Sequence, residues 1–305
     1  MGIPTFRAAV VRTLNDSVSV KVIDLPVREP GPGEVRVEIA AASVNPVDLA
    51  VASGYFHSLG FIDQPEHTGL GWDFAGTIVA VGPDVGLTVG TPVAGLVGGL
   101  DRDFGTYAEQ VVVPAADIAV VPEGLDPVEA ATVPLNGLTA AQLVDLLGDA
   151  PAGGGRLLVT GAAGAVGGYV VPFARERGWR VTGLARSWDE KFVRGLGADF
   201  TDRAAHGWDA VADAAALQDQ GLALVRDGGL FVGVQPSAVP SSERGIDVRA
   251  VSVRPDGTRL GELLDRTASG ELPARVHAVL PLPRLAEAHR AMAEGGVRGR
   301  YVLKP

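Results

Sequence analysis

The feature that most constrains this chain is the segment VTGAAGAVGG at 159–168, which follows an apolar run, RLLVTG (156–161), and opens a stretch of helical spacing that reaches Arg177. Glycines in such a strand-to-helix turn do three jobs. Gly161 allows a tight turn, Gly164 lets backbone approach a pyrophosphate, and Gly167 lets the helix pack against the sheet. The helix start then offers unpaired N–H groups and a partial positive charge to phosphate. The backbone of Gly161, Ala162, Gly164, Ala165, Val166 and Gly167 is therefore the expected phosphate cradle. Its spacing is G-x-x-G-x-x-G, and a plain tight turn is the alternative reading of the same residues.

The next strand should show which dinucleotide is held. An acid about 20 residues beyond the glycines would bind a ribose 2′-hydroxyl. WRVTGLAR (179–186) instead ends in Arg186 and Ser187, with Lys191 close behind. A guanidinium and a hydroxyl suit a 2′-phosphate, so NADPH is expected rather than NADH. Asp189 and Glu190 nearby count against this, and a solvated helix start is the alternative for the cations.

Two textures flank the motif. Up to about residue 120 the chain reads as short β-branched strands at 7–12, 18–26, 34–44, 74–82, 91–97 and 106–114, separated by turns such as Glu29-Pro30-Gly31-Pro32-Gly33. Irregular strands at this spacing predict a partly closed barrel. Asp126-Pro127-Val128-Glu129 then reads as a helix start. The helix should run through 130–147, interrupted at Pro134 and Gly137. Strands at 156–161, 179–186, 208–214 and 229–234 alternate with helices, which predicts a doubly wound parallel sheet. The tail returns to helical spacing at 258–269 and 285–295 and strand texture at 276–282 and 300–305.

Composition narrows the function. The 305 residues suffice for about two domains. A net charge of −10 argues against nucleic acid or anionic lipid as the main partner. With no cysteine at all, disulfides, thiolate nucleophiles and sulfur-bound zinc are excluded. No apolar run is long enough to span a membrane. The start, MGIPTFRAAVVR, lacks a basic region before an apolar core, and Phe6 stands where a myristoylation motif needs Ser or Thr. A cytoplasmic protein is expected.

The motifs taken in order resemble the medium-chain dehydrogenase/reductase superfamily, and within it the quinone oxidoreductase (zeta-crystallin-like) branch. AASVNPVDLAVASGYF (41–56), GWDFAGTIVAVGPDV (71–85), AATVPLNGLTAAQLV (130–144), LLVTGAAGAVG (157–167), GLGAD (195–199) and GRYVLKP (299–305) carry the resemblance. It implies a GroES-like catalytic domain at 1–126 and 272–305 and a Rossmann NADPH-binding domain at 127–271. It also implies a homodimer formed through the Rossmann sheets.

Departures from the family refine the expectation. Zinc members present a Cys after the third strand and a His-Glu pair near the next. This chain has Asn45 and Trp72-Asp73 there, with five scattered histidines, so no metal site is expected. Hydride transfer to a quinone or an α,β-unsaturated carbonyl needs only positioning and a hydrogen-bond donor. The resemblance places Asn45 beside the nicotinamide and Thr139 near its ribose. The family's pocket tyrosines correspond to Ala50 and Phe56, leaving adjacent Tyr55 as the candidate hydroxyl. Arg298 or Arg300 matches a basic residue before the closing strand, and Arg300 is taken as a phosphate contact. Asn45 as a simple turn residue before Pro46 is the alternative. Asp48 reads as a helix cap or buried partner for a backbone donor, Trp72 as packing, His57 and His67 as loop residues, and Asp101-Arg102-Asp103 as a solvated turn. An enoyl reductase of lipid or polyketide metabolism and a non-catalytic NADPH-binding redox sensor are the competing functions.

Overall fold

The computed structural model describes residues 4–14 and 17–305. The first three residues, on which the reading of the chain's start partly rests, lie outside it. The chain packs as two compact units, one formed by 1–135 with 255–305, the other by 136–254.

The first unit is β-rich. β1 (Thr5–Leu14) and β2 (Ser17–Pro26) form an antiparallel ribbon. β3 (Glu34–Ser43) leads into α1 (Pro46–Ala52) and the single turn α2 (Tyr55–Ser58). β4 (Thr68–Gly69), β5 (Asp73–Val81), β6 (Pro92–Leu96), β7 (Gln110–Pro114) and β8 (Ile118–Val120) follow. Residues 106–109, read as strand, contribute only an isolated bridge from Ala108 to Ala8. β3 alternates as its sequence predicts, burying Val35, Val37 and Ile39. They meet Phe74, Ile78, Val93, Val111 and Tyr107 in one core, each buried aliphatic side chain contributing about 1.5–3 kcal/mol.

A short helix, α3 (Pro127–Ala130), is capped by the Asp126 carboxylate, which accepts the Val128 N–H at 2.7 Å. It packs on β3 and β5, so it belongs with the barrel and not beyond the 126/127 boundary. Pro134 does not interrupt a long helix but begins a second one, α4 (Pro134–Leu147). At the first helical position proline's missing N–H costs nothing. Gly137 sits inside α4 without breaking it. The division between units falls after the second residue of this helix.

The second unit holds β9 (Arg156–Thr160), α5 (Gly167–Glu176), β10 (Arg180–Leu184), α6 (Glu190–Gly195), β11 (Asp199–Thr201), β12 (Trp208–Asp213), α7 (Asp219–Leu222), β13 (Val225–Gly233) and β14 (Asp247–Ala250). Every neighbouring pair is parallel, in the order β11-β10-β9-β12-β13-β14. The order reverses between β9 and β12, and ligands of such sheets sit at the carboxyl ends beside that point.

The chain then returns to the first unit through α8 (Gly257–Ala268), β15 (Val276–Pro281), α9 (Leu285–Glu294) and β16 (Arg300–Lys304). α8 packs on β8, so the return begins at residue 255, ahead of the expected 272. β3 shares one edge between two partners. Its first half pairs with β7 over 34–38, and its end pairs with β16 through Ala42–Leu303 and Ser43–Val302.

The β3–β5 pair is so close that a Cβ on Gly76 would lie 2.0 Å from the Glu38 carbonyl oxygen. Gly76→Ala should lower stability by about 3 kcal/mol or more through backbone displacement. Gly86→Ala, where a Cβ meets nothing within 4 Å, should stay within about 0.5 kcal/mol. Urea midpoints of the two variants check both statements.

Candidate active site

The glycine turn of the second unit is built as its spacing requires. Gly161 takes φ 59°, a left-handed conformation that a side chain disfavours. The Gly164 N–H donates to the Gly161 carbonyl at 2.7 Å. A Cβ on Gly167 would stand 2.2 Å from that same oxygen, and one on Gly164 would stand 2.9 Å from it. The N-cap of α5 is Val166, which has no side chain able to cap, so the first turn has no side-chain partner. This combination fits a pyrophosphate.

The turn is braced by a residue that sequence reasoning passed over. Asp213, fully buried at the end of β12, accepts the Thr160 hydroxyl at 2.6 Å and the Gln218 N–H at 2.8 Å. The Thr160 oxygen in turn accepts the Ala215 N–H at 3.1 Å. Only the apolar run around Asp213 signalled it, because an acid there needs donors.

At the tip of β10, Arg186, Ser187 and Lys191 are exposed. The Arg186 guanidinium lies 5.6 Å from the ring of Trp188, itself 72% exposed. The two acids that weakened the NADPH expectation are turned elsewhere. Asp189 is buried, and Glu190 is paired with Arg194 at 2.8 Å.

The first unit contains a buried polar network around Asn45. Asp48, in the first turn of α1, accepts the Asn45 N–H and the Tyr107 hydroxyl through Oδ2 and the Gly71 N–H through Oδ1, each at 2.9 Å. Asp73, at the start of β5, accepts the Ser43 hydroxyl at 2.6 Å and the Asn45 Nδ2 at 2.9 Å through Oδ2. Its Oδ1 accepts the Leu135 N–H in the first turn of α4 at 2.6 Å. Burial pushes Asp73 up to about 7 and Asp48 up to about 6, in each case against the pull of these hydrogen bonds. Tyr107 is pushed well above its ordinary value, first by burial and then by the Asp48 charge.

Cations face these acids. Burial pulls the partly buried Arg300 down to about 10, while the charges of Asp73 and Asp48 oppose that pull. Arg300 therefore lies with the carboxylates of the first unit. The expectation of a solvated turn at Asp101-Arg102-Asp103 fails at its centre. Arg102 points inward, donating to the Gly71 carbonyl at 2.6 Å and the Val97 carbonyl at 2.8 Å, with its guanidinium 4.9 Å from the Trp72 ring. Two backbone carbonyls accept from it, one of them already bonded to the Thr106 N–H, and two flanking exposed acids conceal this in the sequence.

Of the other sequence candidates, Thr139 is buried on α4. Tyr55 stands on α2, 37% exposed and edge-on to Phe56, apart from the Asp48–Asp73 network. His57, read as an unpartnered loop residue, has its Nε2 3.0 Å from the Thr68 hydroxyl. Among the described residues, no three His, Asp or Glu side chains gather as metal ligands.

The raised carboxyls give a signed pH dependence. Between about pH 4 and pH 7 the unfolded chain has lost protons that folded Asp48 and Asp73 retain. Their contribution to stability therefore falls as pH rises through that window. Asp48→Asn should cost about 1–3 kcal/mol through donors left without a carboxylate. It should also shrink the difference between urea midpoints at about pH 5 and about pH 7.5, the comparison that tests the sign.

Comparison with known proteins agrees with this architecture. The Alcohol dehydrogenase GroES-like domain family matches residues 31–123 and the Zinc-binding dehydrogenase family matches residues 190–303. Polyketide synthase GfsB of Streptomyces halstedii is 33% identical over 298 residues, 89% of this chain but 5% of its own length. Two further polyketide synthases are spanned over only 8% and 15% of their lengths. The chloroplastic NADPH-dependent alkenal/one oxidoreductase of Arabidopsis thaliana is 28% identical, covering 89% of this chain and 72% of the relative. The crystal structure of an NAD-dependent alcohol dehydrogenase superposes with TM-score 0.80 at 30% identity, over 98% of this chain and 99% of that one. With a dehydrogenase of that identity matched end to end, the chain belongs to the medium-chain dehydrogenase/reductase superfamily.

Proposed function

We propose that this chain is an NADPH-dependent oxidoreductase that delivers hydride, without zinc, to an acceptor that is already polarised: a quinone or an activated alkene. The glycine turn carries the reading. It brings backbone to within 2.2 Å of where a Gly167 Cβ would stand, at the uncapped start of α5. Arg186, Ser187 and Lys191 are exposed at the next strand tip, where a 2′-phosphate would be met by charge.

When bound, NADPH supplies a hydride. In this reading the backbone of 161–167 and the cations hold the phosphates. Asn45 and Thr139 position the reacting end, and Tyr55 offers a hydroxyl toward the acceptor. The donor set argues against zinc. The chain has no thiolate, and the Asp73 carboxylate is engaged by three hydrogen-bond donors. Without a Lewis acid, an acceptor polarised by its own conjugation is the suitable partner. The likeness to the Arabidopsis alkenal/one oxidoreductase supports an enone. The likeness to the trans-enoyl reductase pgmF of Aspergillus terreus, 34% identical over 175 residues, supports as a second reading an enoyl reductase acting on a thioester-conjugated alkene. We read the protein as a cytoplasmic homodimer, with β14 as the sheet edge able to pair with a second copy.

Titration with NADPH and with NADH, followed by quenching of tryptophan fluorescence, tests the cofactor; Trp188 beside Arg186 is the natural reporter. NADPH should bind more tightly, and Arg186→Ala should weaken it roughly ten- to hundredfold while leaving NADH nearly unchanged. Consumption of NADPH with quinones, enones and enoyl thioesters then sorts the substrate class. Binding without turnover of any acceptor would leave a redox sensor, and binding of neither dinucleotide would sink the reading.

A further inference from the structure

The Asp73 carboxylate is fully buried and receives three donors from two segments: the Ser43 hydroxyl and the Asn45 amide at the junction of β3 and α1, and the Leu135 N–H in α4. Only an acceptor on every side satisfies them all. An ionised carboxylate is such a group, whereas an amide or a protonated acid turns a donor toward at least one of them.

The two oxygens divide the work. Oδ2 takes Ser43 and Asn45, and the Asn45 Nδ2 also lies 3.2 Å from the Ser43 hydroxyl oxygen. The backbone of Asn45 is held separately, through its N–H to Asp48. Asp73 and Ser43 therefore set the direction of the amide and not the path of the chain. Oδ1 takes the second residue of α4. A negative charge at a helix start is favourable, and Thr139 follows Leu135 by four residues, about one turn along the same face.

We infer that Asp73 is a positioning residue, which through Oδ2 aims the Asn45 amide and through Oδ1 fixes the first turn of the helix carrying Thr139. Loss of its charge then releases both together. This rests on the oxidoreductase reading for the roles of Asn45 and Thr139, but the coupling is a property of the free protein.

Burial is the main reason Asp73 ionises late, and the charges around it adjust the point. Asp48 on α1 opposes its ionisation, and the Arg300 guanidinium on β16 favours it. The Tyr107 hydroxyl, bonded to Asp48, stays neutral, and Arg275 adds positive charge beside Arg300. Burial pushes the carboxyl up to about 7, so the switch falls in an accessible range. On protonation the new O–H can turn to the Ser43 oxygen, 2.6 Å away. The Ser43 hydroxyl must then rotate away, and the anion that oriented Asn45 and Leu135 is gone.

The test begins with the unmodified protein, free of dinucleotide, in a pH titration of ¹⁵N-labelled samples by NMR. The Asn45 side-chain amide and the Leu135 N–H should shift together with one midpoint near 7, and Asp73→Asn should abolish both shifts. With NADPH and a reducible acceptor, Asp73→Asn should lower kcat roughly ten- to hundredfold and remove an acidic limb from its pH profile. The NADPH Kd should change less than about threefold, because the phosphates are held elsewhere. Asp73→Glu, which keeps the charge, should restore part of kcat. Separate or absent titration of the two resonances overturns the proposal, as does a loss of NADPH affinity matching the loss of kcat. If the wild-type protein reduces no acceptor, the oxidoreductase reading fails, while the paired resonances still decide the coupling.

Discussion

A carboxylate withdrawn from water must be met by donors, or it will not stay charged. The first unit withdraws two of them, Asp48 and Asp73, and much of its local structure is the answer to that demand. The start of α1, the turn at Gly71, the ring of Tyr107, the end of β3 and the first turn of α4 each give a donor to one of the pair. Segments far apart in sequence are thus fixed to within hydrogen-bond tolerance by groups that a barrel core alone would only press together. Hydrophobic packing is indifferent to small rotations. A shared carboxylate is not.

The second unit uses a different device. The turn proposed to hold phosphate is made by removing atoms: glycines where a Cβ would collide, and a helix start with no side-chain cap. Its charges stand in water at a strand tip, where Coulomb attraction to an arriving anion is weaker but desolvation costs little. The first unit organises through its buried acids, and the second adds absent side chains to the bracing of its own buried Asp213.

These devices differ in how legible they are. The glycine turn, the strand alternation in β3 and the Asp126 cap are local, so spacing alone exposes them. The helix break is half visible: in the sequence Pro134 reads as an obstacle, whereas it begins α4, because the Thr132-Val133 connection before it holds no strong turn signal. β11 and β14, at three and four residues, are too short to show a period. The Asp73 site was the hardest. Its donors lie 28 to 62 positions away, and nothing in a linear string says which backbone N–H will lack a partner. Arg102 is concealed for the same reason, its acceptors being the Gly71 and Val97 carbonyls that flank β5 and β6, 31 and 5 positions away.

The shared edge of β3 has a consequence for the order in which the molecule is made. Its last two pairings are with Val302 and Leu303, so the end of the strand that leads toward Asn45 lacks this partner until residue 303 has been synthesised. Residues 136–254 are contiguous and can close their sheet during synthesis, whereas the barrel must hold its edge open for some 260 residues. The unit begun first is therefore finished last. During that interval the exposed ladder of β3 is the part of the nascent chain most in need of protection from other strands.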